Sequence, residues 1–424
     1  MTNATSHPSV SVLVPNLLRS FIAEWWEGDF PAPSSGPIHS SAVHKSNEAH
    51  LERFVDSLAA EFKHAPRTAC ERESTRERIL KAFAVFARGA LGFEDRHLNL
   101  LLGRGFPQSA VQFTQMARAF DAAVSASDIF QASRNVWTMN GLQVLLGLPV
   151  RLTPAMFAYS MLYPYTDNYL DDPAVPTETK VAFNQRFALR LMGENVDPAN
   201  AQERKICDLV AMIEAQYSRA LYPQVYDSLL AIHRAQEKSI RLLRCNASPY
   251  EVDVLGISLE KGGTSVLADG YLVAGSLSER HAEFTFGFGA FLQLVDDLQD
   301  VEGDGRDGLL TVFSQTARRW PLDAITNRTL QFGRRVLELL PCFDAPEAEP
   351  FKELMRRSAT LLVVLAAGRA ARLHTRDYIR ELEGRSPFRF AFLEKQSRRL
   401  ARQRISLMRM IEAFAVAPAG DATA

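Results

Sequence analysis

A run of carboxylates follows an apolar segment near residue 296. In the stretch from Phe291 to Asp304, three aspartates (Asp296, Asp300 and Asp304) are spaced i, i+4 and i+8. On an α-helix this spacing places the three side chains on one face, where like charges repel and weaken the helix. A magnesium ion would offset the repulsion, because Mg²⁺ prefers carboxylate oxygens and keeps positions open for phosphate oxygens. The alternative interpretation is a solvated, acidic helix end.

A second acidic cluster closes an earlier helical segment. Thr153 and Pro154 are typical of a helix start, and Asp167 and Asp171 follow at i, i+4 spacing with Asp172 beside them. Each cluster ends an apolar helix, so both are predicted at the same rim of a helical bundle. Two facing carboxylate sets above an apolar cavity suit a substrate with a diphosphate head and a hydrocarbon tail. Magnesium would make the diphosphate a good leaving group, and the cavity would shield the allyl cation from water.

The elements that must position these acids are predicted to be helices. Apolar residues recur at three- and four-residue intervals from Asn47 onward, and no stretch alternates as a strand would. The class is therefore all-α, with one large helical domain over residues 47–416. Residues 1–46, rich in Ser, Pro and Gly, are predicted to be a loosely ordered arm, and residues 417–424 a flexible tail. Thr177 is predicted to cap a helix that runs to about Met192.

Composition excludes several classes of function. The chain has 424 residues, 47% of them hydrophobic, and a net charge of −1, which gives no support for nucleic-acid binding. Its four cysteines lie far apart and indicate reduced thiols, not a disulfide framework. The longest apolar run is too short to span a bilayer, and the start does not have the pattern of a signal peptide. A soluble, cytoplasmic protein is expected, and a homodimer remains open.

The paired clusters on an all-α chain resemble the class I isoprenoid synthase superfamily. That superfamily includes trans-prenyl diphosphate synthases, squalene and phytoene synthases, and terpene cyclases. The stretch Phe291–Asp300 is similar to the FQxxDDxxD motif of the prenyl diphosphate synthases, and Lys261–Gly275 resembles their helix with a diphosphate-binding Lys-Thr. The resemblance implies a single large bundle of the isoprenoid synthase type, a prenyl diphosphate substrate and three Mg²⁺ ions.

Specific residues are assigned roles on this basis. The metal ligands would be seven aspartates: Asp167, Asp171, Asp172, Asp296, Asp297, Asp300 and Asp304. Four of them are also assigned to catalysis: Asp167, Asp171, Asp296 and Asp300. By the same resemblance, Lys261 and Thr264 would contact the diphosphate and Gln293 would line the site.

Two arginines are further candidates for binding substrate. The glycines from Gly303 to Gly308 are predicted to turn the chain and bring Arg306 back towards the ligand, with solvent exposure as the alternative. Arg134 could grip a phosphate bidentately or pair with a core acid.

Departures from the prenyl diphosphate synthases favour one branch of chemistry. No Gly-Gly-Lys occurs early in the chain, and no arginine pair follows the first cluster. In that family both help to bind isopentenyl diphosphate. We therefore expect an enzyme that ionises an allylic prenyl diphosphate and cyclises or couples the cation. The alternatives are a chain-elongating prenyltransferase and a catalytically idle binding or scaffold protein on the same fold.

Overall fold

The computed structural model describes residues 9–27, 37–63, 66–103, 105–171, 175–243 and 251–403. The regular structure of these residues is helical, and the only extended pairing among them is an isolated antiparallel bridge between Leu243 and Leu309. The prediction of an all-α class is confirmed. None of the described helices is long and apolar enough to cross a membrane.

The α-helices run in the following chain order: α1 (Val10–Glu27), α2 (Ser41–Glu61), α3 (Ala69–Leu91), α4 (Asp95–Leu102), α5 (Phe106–Phe120), α6 (Ala126–Leu145), α7 (Pro154–Asp171), α8 (Thr177–Met192), α9 (Ala201–Gln216), α10 (Pro223–Ser239), α11 (Val254–Ala274), α12 (Glu279–Gln299), α13 (Val301–Asp307), α14 (Val312–Ala317), α15 (Asp323–Glu338), α16 (Glu349–Arg369), α17 (Arg376–Arg385) and α18 (Phe390–Arg402).

The chain divides into two compact units, which differs from the predicted single domain over residues 47–416. Unit 1 comprises Met1–Ser34, Gly141–Gly147 and Pro154–Ile379, and unit 2 comprises Ser35–Asn140, Leu148–Thr153 and Arg380–Ala424. Both acidic clusters belong to unit 1. The predicted tail at residues 417–424 lies outside the described residues.

Helices α11 and α12 are consecutive and pack against each other at the centre of unit 1. Glycines bring their backbones close together: a Cβ on Gly289 would lie 2.2 Å from the carbonyl oxygen of Gly262. A Cβ on Gly263 would similarly meet the ring of Phe286 at 2.6 Å. Because only glycine fits at such approaches, this pair of helices has a fixed spacing.

Helix α1 belongs to unit 1 and has one buried face along its whole length. The residues of this face are Val10, Val14, Leu17, Phe21 and Trp25. The ring of Phe21 stacks on Phe286 of α12, with centroids 5.9 Å apart. The expectation of a loosely ordered arm is therefore wrong for residues 10–27, because a helical apolar stripe outweighs the Ser- and Pro-rich composition around it. The predicted boundary at residue 46 falls inside α2.

Unit 2 contains the packed pair α2 and α3. Phe86 of α3 stacks on Phe54 of α2 at 5.2 Å and belongs to a small buried cluster with Phe388. The carboxylate of Glu48 accepts a hydrogen bond from Arg389 Nε at 2.8 Å, which joins α2 to the start of α18. These contacts give the unit a core of its own.

Helix α7 starts at Pro154, as predicted, and ends at Asp171 with Pro164 inside it. The prediction that Thr177 caps α8 is wrong by one position. Thr177 is the first helical residue, and Pro176 occupies the N-cap position without a side-chain hydrogen bond.

Candidate functional site

One end of unit 1 is defined by hydrogen bonds among three helices. The backbone N–H of Ala155, at the start of α7, donates to Gln216 Oε1 at the end of α9 at 3.0 Å. The next residue, Tyr217, donates its hydroxyl to the carbonyl oxygen of Leu272 in the last turn of α11 at 2.9 Å. The start of α7 and the end of α11 therefore lie together, and we call this the Tyr217 end.

The acidic helix termini lie at the other end of unit 1. Since α7 starts at the Tyr217 end, its terminus at Asp171 lies away from that end. Helix α12 starts just after Gly275, whose φ of 75° ends α11, and it packs back along α11. Its last residues, Asp296 to Asp300, therefore also point away from the Tyr217 end. We call the region of Asp171, Lys261 and Asp296–Asp300 the acidic end.

Asp297 is the buried member of the α12 acids. It is 5% exposed, and its Oδ1 accepts a hydrogen bond from Gln293 Nε2 at 2.8 Å. Burial raises the pKa of Asp297 to about 6 despite this hydrogen bond. The charge of Asp296 adds to the rise, and the ammonium of Lys261 opposes it. Lys261, Gln293 and Asp297 therefore interact across the α11–α12 contact.

Asp304 experiences the combined charge of its neighbours. Burial, together with the charges of Asp297, Asp300, Asp296 and Asp307, raises its pKa to about 7. Its backbone N–H donates to the carbonyl oxygen of Asp300, so α13 continues the line of α12 after a short break. Negative charge at the acidic end is thus concentrated around Asp304.

These carboxylates fit a magnesium ion by donor type, since hard oxygen donors and concentrated negative charge both favour it. Within the part of the chain that the structure describes, however, no group of three His, Cys, Asp or Glu side chains is arranged to hold a metal ion. Asp167 and Asp171 belong to α7, but their side chains, and Asp172 entirely, lie outside the described residues. The α12 and α13 acids thus form only part of the predicted ligand set.

Helix α11 has one partly accessible face near the acidic end. This helix is buried on almost every side, and its exceptions are the half-buried Lys261 and Ser265 and, at its end, Ala274. Lys261 and Ser265 are one helical turn apart and share a face. Gln293, on the facing helix, is also half-buried. The accessible face therefore carries an ammonium group at its top, close to the acids.

Three other predicted binding residues lie in different settings. Thr264 is fully buried and donates its hydroxyl to the carbonyl oxygen of Glu260 at 2.7 Å. Arg306 is exposed, and its Nε donates to the carbonyl oxygen of Glu302 in the same helix. Arg134 is exposed and lies in unit 2.

The predicted glycine turn before Arg306 is wrong in position. Gly303 and Gly305 are helical residues of α13, and the chain turns only at Gly308, whose φ is 76°. The helix continues because backbone hydrogen bonds from Asp300 onward outweigh the low helix propensity of glycine.

Two polar residues near the Tyr217 end were not predicted from the sequence. Ser160 of α7 is fully buried and Asp269 of α11 is 1% exposed. Within the described residues, the hydroxyl of Ser160 and both carboxyl oxygens of Asp269 have no hydrogen-bond partner. A signal was present for Asp269, because it follows Lys261 by eight residues within an apolar helix.

Comparisons with known proteins returned no relative. No protein-family model, no curated protein and no solved structure matches the chain.

Proposed function

We propose that the protein is a Mg²⁺-dependent class I isoprenoid enzyme. It would ionise an allylic prenyl diphosphate and cyclise or couple the resulting cation within unit 1. The proposal rests on one main observation: Lys261, Gln293 and the α12 acids meet at the end of unit 1 where α7 also terminates in aspartates.

Each described residue has a physical role in this proposal. Lys261 would pair with the diphosphate, which would replace its present interaction with Asp297. Gln293 Nε2 holds Asp297 Oδ1 and so fixes the orientation of that carboxylate. Asp296, Asp297, Asp300 and Asp304, with Asp167, Asp171 and Asp172 of the first cluster, would hold magnesium. When bound, magnesium neutralises the diphosphate and makes it a better leaving group. The buried faces of α7, α11 and α12 would exclude water from the cation.

Thermal unfolding with a non-hydrolysable prenyl diphosphate analogue tests the proposal. We expect the analogue to raise the Tm only when magnesium is present, because the diphosphate and the acids repel each other without it. At a hundredfold excess over its Kd, a ligand stabilises the folded state by about 2.7 kcal/mol. A catalytically idle scaffold would give the same Tm with and without both additions. That alternative is favoured by one observation, the lack of three converging ligands among the described residues.

Product analysis separates the branches of chemistry. The protein would be incubated with geranyl, farnesyl and geranylgeranyl diphosphate, each with and without isopentenyl diphosphate. We expect a hydrocarbon or alcohol, with diphosphate release, when the allylic substrate is supplied alone. A longer prenyl diphosphate formed only with isopentenyl diphosphate would instead identify a chain-elongating prenyltransferase.

A further inference from the structure

Ser160 and Asp269 share an environment that is costly for both side chains. A buried hydroxyl or carboxyl group without a hydrogen bond has lost its hydration and gained nothing in return, which destabilises the folded state. Both are helical residues with less than 2% exposure and no partner. Other buried polar side chains of unit 1 do have partners: Ser228 donates to the carbonyl oxygen of Val225, and Thr329 donates to that of Ile325. Among the described residues of unit 1, Asp297 Oδ2 and His233 Nε2 also lack a partner, but Asp297 accepts a hydrogen bond through its other oxygen, Oδ1.

Both residues lie on helix faces that carry predicted head-group ligands. Asp269 follows Lys261 and Ser265 at i, i+4 and i+8, so the three occupy one side of α11. Ser160 precedes Asp167 by seven residues, two helical turns, and so shares a face of α7 with it. Because α7 and α11 run in opposite directions and contact each other, each of the two residues lies in the half of its helix that is nearer the Tyr217 end.

The distance between the two ends matches an extended ligand. Eight residues of α-helix separate Lys261 from Asp269, a rise of about 12 Å. This is comparable to the length of a short prenyl chain. Ser265 is half-buried one turn before Asp269, so the partly accessible face of α11 ends one turn from the carboxyl group.

The protonation state of Asp269 indicates what it can bind. Complete burial raises the pKa of Asp269 well above its ordinary value, because desolvation favours the neutral carboxylic acid over the carboxylate. A neutral acid donates one hydrogen bond and accepts others, as does the hydroxyl of Ser160. An uncharged oxygen satisfies both, whereas a plain hydrocarbon end satisfies neither.

We propose that Asp269 and Ser160 bind an uncharged oxygen, a hydroxyl or carbonyl, at the far end of the substrate tail. The proposal rests on the proposed function for the placement of the diphosphate head at Lys261. It identifies the substrate class as a prenyl diphosphate that is oxygenated at the end remote from the diphosphate. Asp269 O–H would donate to the tail oxygen, and Ser160 would provide the second hydrogen bond.

Two probe series test this site on the full-length protein. The first compares farnesyl thiolodiphosphate with its ω-hydroxy derivative in the presence of magnesium. The second compares short straight-chain alcohols with alkanes of the same length, and it requires no diphosphate site. In both series we expect the wild type to bind the oxygenated probe more tightly. We expect Asp269→Leu to remove that preference through a loss of roughly ten- to a hundredfold in affinity.

Further variants distinguish a binding site from a merely structural position. Asp269→Asn keeps a donor and an acceptor, so it should retain most of the preference. Ser160→Ala should lose part of it, whereas the matched variant Ser228→Ala, which changes an equally buried but hydrogen-bonded serine, should lose none. Asp269→Leu should also raise the Tm, because it removes an unpaired polar group.

The two series separate the possible failures. If the thiolodiphosphates do not bind but alcohols are preferred over alkanes in a manner that depends on Asp269, the proposed function fails and the oxygen site stands. If oxygenated and plain probes bind equally to the wild type in both series, the oxygen site is overturned. Ser160 and Asp269 then satisfy their hydrogen bonds with a structural water.

Discussion

Polar side chains at the two ends of unit 1 have different unfavourable interactions: charge repulsion at the acidic end and loss of hydration at the Tyr217 end. At the acidic end, Asp296 and Asp300 are exposed, and Asp304 is held at a raised pKa of about 7 by burial and by its charged neighbours. At the Tyr217 end, burial raises the pKa of Asp269, and no charged group among the described residues contributes to this rise. One carboxylate cluster is crowded and the other carboxyl group is isolated.

The difference indicates which ligand each end can accept. Repulsion between carboxylates is relieved by a cation, which adds opposite charge. Loss of hydration at an isolated acid is relieved by a neutral hydrogen-bonding group, because a second charge would itself have to be desolvated. Helix α11 passes both sites, with Lys261 near one and Asp269 near the other. A ligand with a charged head and an uncharged oxygen on its tail would satisfy both.

The largest expected effect is a loss of catalytic activity when aspartates of the acidic end are substituted. Asp296→Ala and Asp167→Ala should each abolish diphosphate release, a loss of about a thousandfold or more, since a metal ion contributes several kcal/mol to stabilising the transition state. The helical circular dichroism should remain unchanged. Glu302→Gln, at an exposed position of α13, is the matched control and should keep most of the activity. Near wild-type turnover in either aspartate variant would show that the acidic end does not take part in the reaction.

A smaller effect tests the close contact between α11 and α12, the helices that connect the two ends. Gly289→Ala places a methyl group against the Gly262 carbonyl oxygen, so we expect a loss of about 1–3 kcal/mol in the free energy of unfolding. Gly305→Ala is the control: it is also helical, but nothing lies within 4 Å of its position. It should stabilise α13 by about 0.5–1 kcal/mol. Denaturant unfolding measures both, and equal effects would contradict the close approach of α11 and α12.

The sequence predicted local features better than contacts. The start of α7 at Pro154 and the helical run into Asp296 follow from capping and periodicity, which act over a few residues. Helix α1 was missed because its stability comes from Phe21 packing on Phe286, a contact between distant parts of the chain. Ser160 and Asp269 were missed for a related reason. A sequence shows that a polar residue sits in an apolar helix, but the lack of a partner depends on every neighbouring element.

The smallest expected effect is on the dependence of stability on pH and magnesium, which should differ between the two ends. In the unfolded chain an aspartate has a pKa of about 4. The folded-state pKa of Asp304 is about 7, so the folded state binds this proton more tightly. The stability of the protein should therefore fall as the pH rises from about 4 to about 7, and the penalty should be complete above about 7. Thermal unfolding at a series of pH values measures this decline.

Magnesium should act on one end only. Because it compensates ionised carboxylates, we expect it to raise the Tm more at pH 8 than at pH 5, and Asp304→Asn should reduce both this difference and the decline with pH. Asp269→Asn should also flatten the decline, because the pKa of Asp269 is raised as well, but it should leave the response to magnesium unchanged. If Asp269→Asn altered the magnesium response as much as Asp304→Asn does, the two ends would be electrostatically coupled. The binding of a substrate head at the acidic end would then not be independent of the binding of its tail at Asp269.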